Sequence, residues 1–226
     1  MSKVLSAIVC AVVFACAGLA NGATIMHTDS IAMQSTNWAD TLTIPLFDDL
    51  GGTLSLLSVK IELTGTVEGT AAYESLDAEP SVVTLTLASD VKVQRPDLTV
   101  LVVTMPQAQV IENAGAHDGT IDFGGDSGST FGDLNGSDAE MTTLTDVADL
   151  VLFTGIGDIA LPAMATGTSS AAGPGNITSN FQTDAGADIK VTYEFRSNII
   201  PTPAAMPAGL AMLGLLGAYA KMRRSA

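Results

Sequence analysis

The sequence predicts an all-β fold, an antiparallel β-sandwich of jelly-roll-like kind with one short helix, flanked by an N-terminal signal helix and a C-terminal hydrophobic helix. Three observations carry this expectation. Apolar residues recur with a period of two in several long runs, clusters of Gly, Pro, Asp and Asn separate those runs, and one short stretch alone has helical spacing. The first segment, residues 1–23, begins with the positive start Met1-Ser2-Lys3 and continues through an apolar stretch from Val4 to Leu19 into small residues up to Ala23. That pattern is a secretory signal peptide, with cleavage after Ala20, Gly22 or Ala23 all fitting the small-residue rule. Cys10 and Cys16, the two cysteines of the chain, both fall inside it. The body, residues 24–196, therefore has no thiol to cross-link and must be held by burial, for which it is long enough.

Within the body the strands follow in order. Trp38 precedes a first strand over Thr41 to Leu46. Leu57, Val59, Ile61, Leu63 and Val67 then alternate with Ser58, Lys60, Glu62, Thr64, Thr66 and Glu68, a long strand with one face inside and one in water. Val83, Leu85, Leu87, Val91 and Val93 repeat the pattern. Leu98 to Val103 is apolar at every position but Thr99, which predicts a central strand covered on both faces. Ala108 to Glu112, Met141 to Leu144 and Ile159 to Thr166 are shorter strands, and Ile189, Val191, Tyr193 and Phe195 close the series. Thr145 to Phe153 reads as the helix, with Thr145 as its cap and Val147, Leu150 and Val151 on one face. His117 to Ser137 and Gly167 to Asn180, rich in small and polar residues, read as loops.

Charge narrows the partners. All 24 acidic residues lie between Thr24 and Arg196, against five basic ones, Lys60, Lys92, Arg95, Lys190 and Arg196. Such a surface repels phosphate backbones, so nucleic acid is excluded as a partner. It suits an extracellular domain or one that gathers divalent cations. Asp118, Asp122 and Asp126 sit four apart in a Gly-rich loop, the candidate metal ligands, and calcium is the cofactor that an oxygen-only set would select. The spacing differs from the EF-hand order, and turn-capping aspartates are the competing reading. Trp38 is the single tryptophan and the candidate platform for stacking on a sugar, with core packing as the alternative.

Catalytic motifs are missing from the sequence. Gly155-Ile156-Gly157-Asp158-Ile159-Ala160 matches the spacing of a dinucleotide fingerprint, yet Leu161-Pro162 follows where a helix is required, so a tight turn into a strand is expected. The histidines are His27, near the frayed start of the mature chain, and His117, in the acidic loop. Neither has the sequence context of a triad or a zincin site, and a non-enzymatic protein is expected.

Residues 197–226 carry Pro201-Thr202-Pro203, an apolar run from Met206 to Ala220, and the basic end Lys221, Arg223 and Arg224. As a helix that run spans about 22 Å, short of a hydrocarbon core of about 30 Å. This tail resembles the PEP-CTERM sorting signal of Gram-negative bacteria, with Thr202 in place of the motif's Glu. The body resembles the "choice-of-anchor E" extracellular domain through Thr36-Asn37-Trp38, Thr41-Leu42-Thr43-Ile44-Pro45-Leu46-Phe47-Asp48, Gly51-Gly52-Thr53-Leu54, His117-Asp118-Gly119-Thr120-Ile121-Asp122-Phe123-Gly124-Gly125, Leu152-Phe153-Thr154-Gly155 and Val191-Thr192-Tyr193. The two resemblances imply an exported β-rich protein of the cell surface or extracellular matrix. They imply a transient inner-membrane anchor through the tail, and as partners the export machinery, signal peptidase, an exosortase-type enzyme and exopolysaccharide. A carbohydrate-binding module, with calcium assisting, is the alternative function.

Overall fold

The computed structural model describes residues 22–173 and 175–198. The two terminal helices expected above, the Pro201-Thr202-Pro203 motif and the basic residues Lys221, Arg223 and Arg224 lie outside the described residues. The elements run β1 (Ala23–Ser35), β2 (Trp38–Pro45), β3 (Leu54–Ser75), β4 (Ser81–Gln94), β5 (Val100–Thr104), β6 (Gln107–Ala114), β7 (Gly128–Leu144), α1 (Val147–Leu152), β8 (Asp158–Gly167), β9 (Ser170–Ala172) and β10 (Ile177–Ser197). They form two antiparallel sheets, one ordered β1-β10-β3-β7 and the other β2-β8-β4-β5, with β6 and β9 also paired to β4. On one side of β4, β5 covers Val91 to Gln94 and β6 covers Ser81 to Ala88. The break between them falls at Pro106, which has no N–H to give a ladder. β8 and β9 divide the other side of β4 in the same way.

The alternation read from the sequence is what closes the two sheets on each other. Val59, Ile61 and Leu63 of β3 and Ile189, Val191 and Tyr193 of β10 share a core with Leu42 and Ile44 of β2, Val91 and Val93 of β4 and Leu161 of β8. Each such side chain contributes about 1.5–3 kcal/mol when fully buried. A smaller core of Ala71, Tyr73, Val83, Leu85 and Ala114 fills the far end of the same two sheets. Between the two cores the layers approach so closely at Gly65 that a Cβ there would collide with the Thr104 hydroxyl. Aspartates tie the layers along both edges. Asp29 of β1 accepts the Thr43 N–H of β2 at 2.7 Å, and Asp138 of β7 accepts the Met105 N–H beside β5 at 2.8 Å.

Several elements differ from expectation, each for a physical reason. β1 precedes Trp38 and pairs with β10 from Ala23 to Ser35, so His27 is a strand residue beside Tyr193, not part of a frayed end. Its half-buried positions include His27 and Asp29, and these polar residues hide the period of two. β5 is no central strand: it pairs with β4 alone, and Leu98 and Val100 are exposed around the tight turn Arg95 to Thr99. The helix is capped at Asp146 rather than Thr145, and Val147 and Val151 face water. Leu150 packs against the core as expected, while the helix's buried residue is Asp149, ion-paired with Arg95 at 2.5 Å. Gly128 to Ser137 belongs to β7 and Ile177 to Asn180 to β10, so both expected loops are shorter. As expected, Gly157 (φ 101°) turns into the strand β8 and no helix follows.

At one end of the sandwich Phe47, Phe153, Tyr193 and Phe195 form an aromatic cluster, with Phe47 and Tyr193 edge to face at 5.9 Å. The Tyr193 hydroxyl donates to the Pro45 carbonyl at 2.8 Å, and burial raises its pKa well above the ordinary tyrosine value. The phenol must stay neutral in the folded state, whereas in the unfolded chain it ionises near pH 10. Stability is therefore full below about pH 10 and falls as the pH rises above it. In an alkaline titration followed at the phenolate absorbance, Tyr193 should ionise together with the loss of near-ultraviolet circular dichroism. Ionisation while the fold persists would contradict this account.

Candidate functional site

β3 loses its alternation at its C-terminal end, where Ala71, Ala72, Tyr73, Glu74 and Ser75 are all buried. One face of this end packs in the smaller core. The other is covered by the segment from Gly115 to Ser127, which folds back across Glu74. The Glu74 carboxylate, fully buried, accepts the Phe123 N–H at 2.8 Å and a short hydrogen bond from the buried Ser127 hydroxyl. Ser127 in turn accepts the Ser75 N–H through its carbonyl at 2.8 Å and the Asp118 N–H through its hydroxyl oxygen at 3.3 Å. The fold-back depends on backbone that side chains disfavour: Gly119 and Gly125 have φ of 97° and 69°, and Phe123 takes φ 56°. A Cβ at Gly128, opposite Glu74 in the ladder, would collide with the glutamate's Oε2.

The three aspartates proposed as metal ligands are not brought together. Asp118 Oδ1 accepts the Thr120 N–H at 3.0 Å and the Thr120 hydroxyl at 2.9 Å. These bonds hold its carboxyl below the usual aspartate range. Asp122 closes a separate turn by accepting the Gly124 N–H at 3.0 Å, and the Asp126 carbonyl accepts the Gly115 N–H at 2.6 Å. Among the described residues, the group whose ligand atoms all lie within 4.8 Å of one another is Glu74, His117 and Asp118. Sequence reading missed Glu74 because it continues the polar face of β3, where glutamate is ordinary. The only sign available was the Gly-rich loop far along the chain that would cover it.

Trp38 opens β2 and is a core residue. It is 8% exposed, and its indole N–H donates to the Ala185 carbonyl at 3.0 Å. An indole so enclosed offers no face to a surface sugar, and of the two readings of this tryptophan the structure displays packing. The outer face of the β1-β10-β3-β7 sheet carries instead a groove of about 510 Å³, lined by Thr28, Glu62, Thr64, Glu140, Asp188 and Lys190 among others. Across it Glu62 pairs with Lys190 at 2.7 Å and Lys60 at 3.1 Å, and its carboxyl is held below the ordinary glutamate range chiefly by the Lys190 hydrogen bond.

No protein-family model matches the chain, and no curated protein does. Among solved structures, the infectious bursal disease virus Gx strain aligns at 13% identity over 93% of this chain and 53% of that one, with a TM-score of 0.19. The VP2 subviral particle of infectious bursal disease virus aligns at 12% identity over 78% of this chain and 37% of its own, with a TM-score of 0.20. The chain thus spans about half or less of those capsid chains. Likenesses this slight carry no functional argument.

Replacing Glu74 by Ala strands a half-buried N–H and a buried hydroxyl, which costs about 3 kcal/mol. Urea unfolding of Glu74→Ala should show a lower midpoint with an unchanged slope, and Glu74→Gln, which keeps a carbonyl acceptor, a smaller loss. An unchanged midpoint in Glu74→Ala would remove Glu74 from its role as the anchor of the loop.

Proposed function

We propose that this is a non-enzymatic, exported protein of the cell surface or the exopolysaccharide-associated extracellular matrix, delivered by its N-terminal segment and sorted through its C-terminal tail. The observation that carries this reading is where the ends of the body emerge. Ala23 pairs with Phe195 on adjacent strands, so the chain enters and leaves the sandwich side by side at one pole. A signal peptide cut near residues 20–23 and a tail beginning at Pro201 would join the domain at that same pole, and the loop around Glu74 is at the opposite one.

Three further features support the reading. The described body has no cysteine and is held by two buried cores, which suits export without dependence on oxidation. Its strand order, once β5 with β6 and β8 with β9 are each taken as one interrupted strand, supports a jelly-roll connectivity of four strands per layer. Of the segments that resemble choice-of-anchor E domains, Phe47, Phe153 and Tyr193 meet in one aromatic cluster and His117 to Gly125 lie in the loop at the opposite pole, while Trp38 packs between the poles against Ala185. On this reading the chain is such a domain, and the apolar run from Met206 to Ala220, with Lys221, Arg223 and Arg224 kept cytoplasmic, is a transient anchor that an exosortase-type enzyme removes. The structural reading is preferred to a carbohydrate-binding module because Trp38, the aromatic platform that such a module needs, is enclosed.

Mass spectrometry of the protein recovered from the cells that make it tests the proposal. The expected mass lacks the first 20–23 residues and everything after the Pro201-Thr202-Pro203 region. A mature mass that retains Met206 to Ala226 would overturn the sorting model.

A further inference from the structure

We propose that the pole opposite Ala23 and Phe195 binds one divalent transition-metal ion, zinc by its ligand chemistry, through Glu74, His117 and Asp118. These residues come from different places in the chain, the last turn of the β3 ladder and the loop that covers it, yet each brings a ligand atom within 4.8 Å of the other two. The backbone at His117 is held there by its amide N–H, which donates to the Asp77 carbonyl at 2.7 Å.

A second observation points to a ligand independently of the carboxylates. The Nδ1 atom of His117 is buried with no hydrogen-bond partner, an unfavourable condition for a polar atom. Four side-chain atoms among the described residues share that condition, on Ser81, Arg95, Thr104 and His117. Of the four, only His117 also belongs to the group of ligand atoms, and an ion bound at Nδ1 would supply the missing partner.

The donor set selects the ion. One imidazole nitrogen with two carboxylate oxygens is the mixed set that zinc accepts at about 2.0–2.2 Å, whereas calcium takes six or more oxygens. Glu74 is already oriented by Phe123 and Ser127, the outer hydrogen bonds that fix a ligating carboxylate. Asp118 is exposed, its Oδ1 is engaged by Thr120, and Gly125 leaves room for its Oδ2: a Cβ there would lie 2.6 Å from that atom. Asp122 and Asp126 take no part. Three protein ligands leave a coordination position open to water or to a donor group on another molecule.

The full chain, purified in detergent and stripped with EDTA, is titrated with zinc chloride by calorimetry. The expected result is one zinc per chain, weakened at least tenfold in His117→Ala and in Asp118→Asn, unchanged in Asp122→Asn and Asp126→Asn, and undisturbed by millimolar calcium chloride. Because the chain has just two histidines, proton spectra of the unaltered protein report the ligand directly: zinc should move the imidazole signals of His117 and leave those of His27 in place. No zinc heat, wild-type affinity in His117→Ala, displacement by calcium, or a shift of His27 alone would each overturn the proposal. Should His117→Ala fail to fold, the spectra of the unaltered protein decide.

Discussion

The pairing of β3 with β10 is the interaction on which the remainder of the molecule depends. It runs antiparallel from Ile177 opposite Ser75 to Ser197 opposite Leu54, the longest ladder in the structure. Both strands are central in their sheet, with β1 laid on β10 and β7 on β3. Their inward residues supply one wall of both cores, so a slip of a single residue would turn Val59, Ile61, Leu63, Ile189 and Val191 to water at once. The register is fixed by that penalty. It also sets the polarity of the domain, because everything attached to the 54 and 197 ends lies at one pole and everything attached to 75 and 177 at the other.

Both poles use aspartate turns and glycines, and they differ in what those turns enclose. Around Phe47, Phe153, Tyr193 and Phe195 the chain closes with aromatic packing and backbone bonds such as Phe47 N–H to the Phe153 carbonyl at 2.9 Å. Around Glu74 it closes with polar groups, glycines and turns whose carboxylates accept their own neighbours' N–H groups. A buried carboxylate is costly unless hydrogen-bonded. Glu74 is tolerated because Phe123 and Ser127 reach it, and the loop is ordered because Glu74 is there to receive them. Loop and strand end are thus mutually required.

Much of the fold was legible in the sequence, because long strands with one wet face announce themselves. The alternations of β3, β4 and β10 read correctly for this reason, as did the turn at Gly155 to Gly157. Reading failed where inward positions are polar or outward positions apolar. Asp29 points to the opposite sheet to bond Thr43 and so disguises β1, and Leu98 and Val100 are exposed at a hairpin that composition made look central. Asp149 sits inside because Arg95, far away in sequence, meets it there. The candidate site was half legible. Asp118 and His117 stood out in a Gly-rich loop, but which carboxylate joins them depends on a contact between residues 74 and 123 that no local pattern encodes.

The emergence of both ends at one pole has a mechanical consequence. Inter-strand hydrogen bonds in an antiparallel sheet lie perpendicular to the strands. A pull between the two ends would peel β1 from β10 one rung at a time, starting at Ala23 and Phe195. A pull on the C-terminal end against a hold on the opposite pole loads β10 along its length, between two neighbours, so that the rungs resist in shear together. If the N-terminal segment is removed, as proposed, only the second mode remains. A domain tethered by its C-terminal side and gripped at its far loops would then bear force through a central strand bonded along both edges.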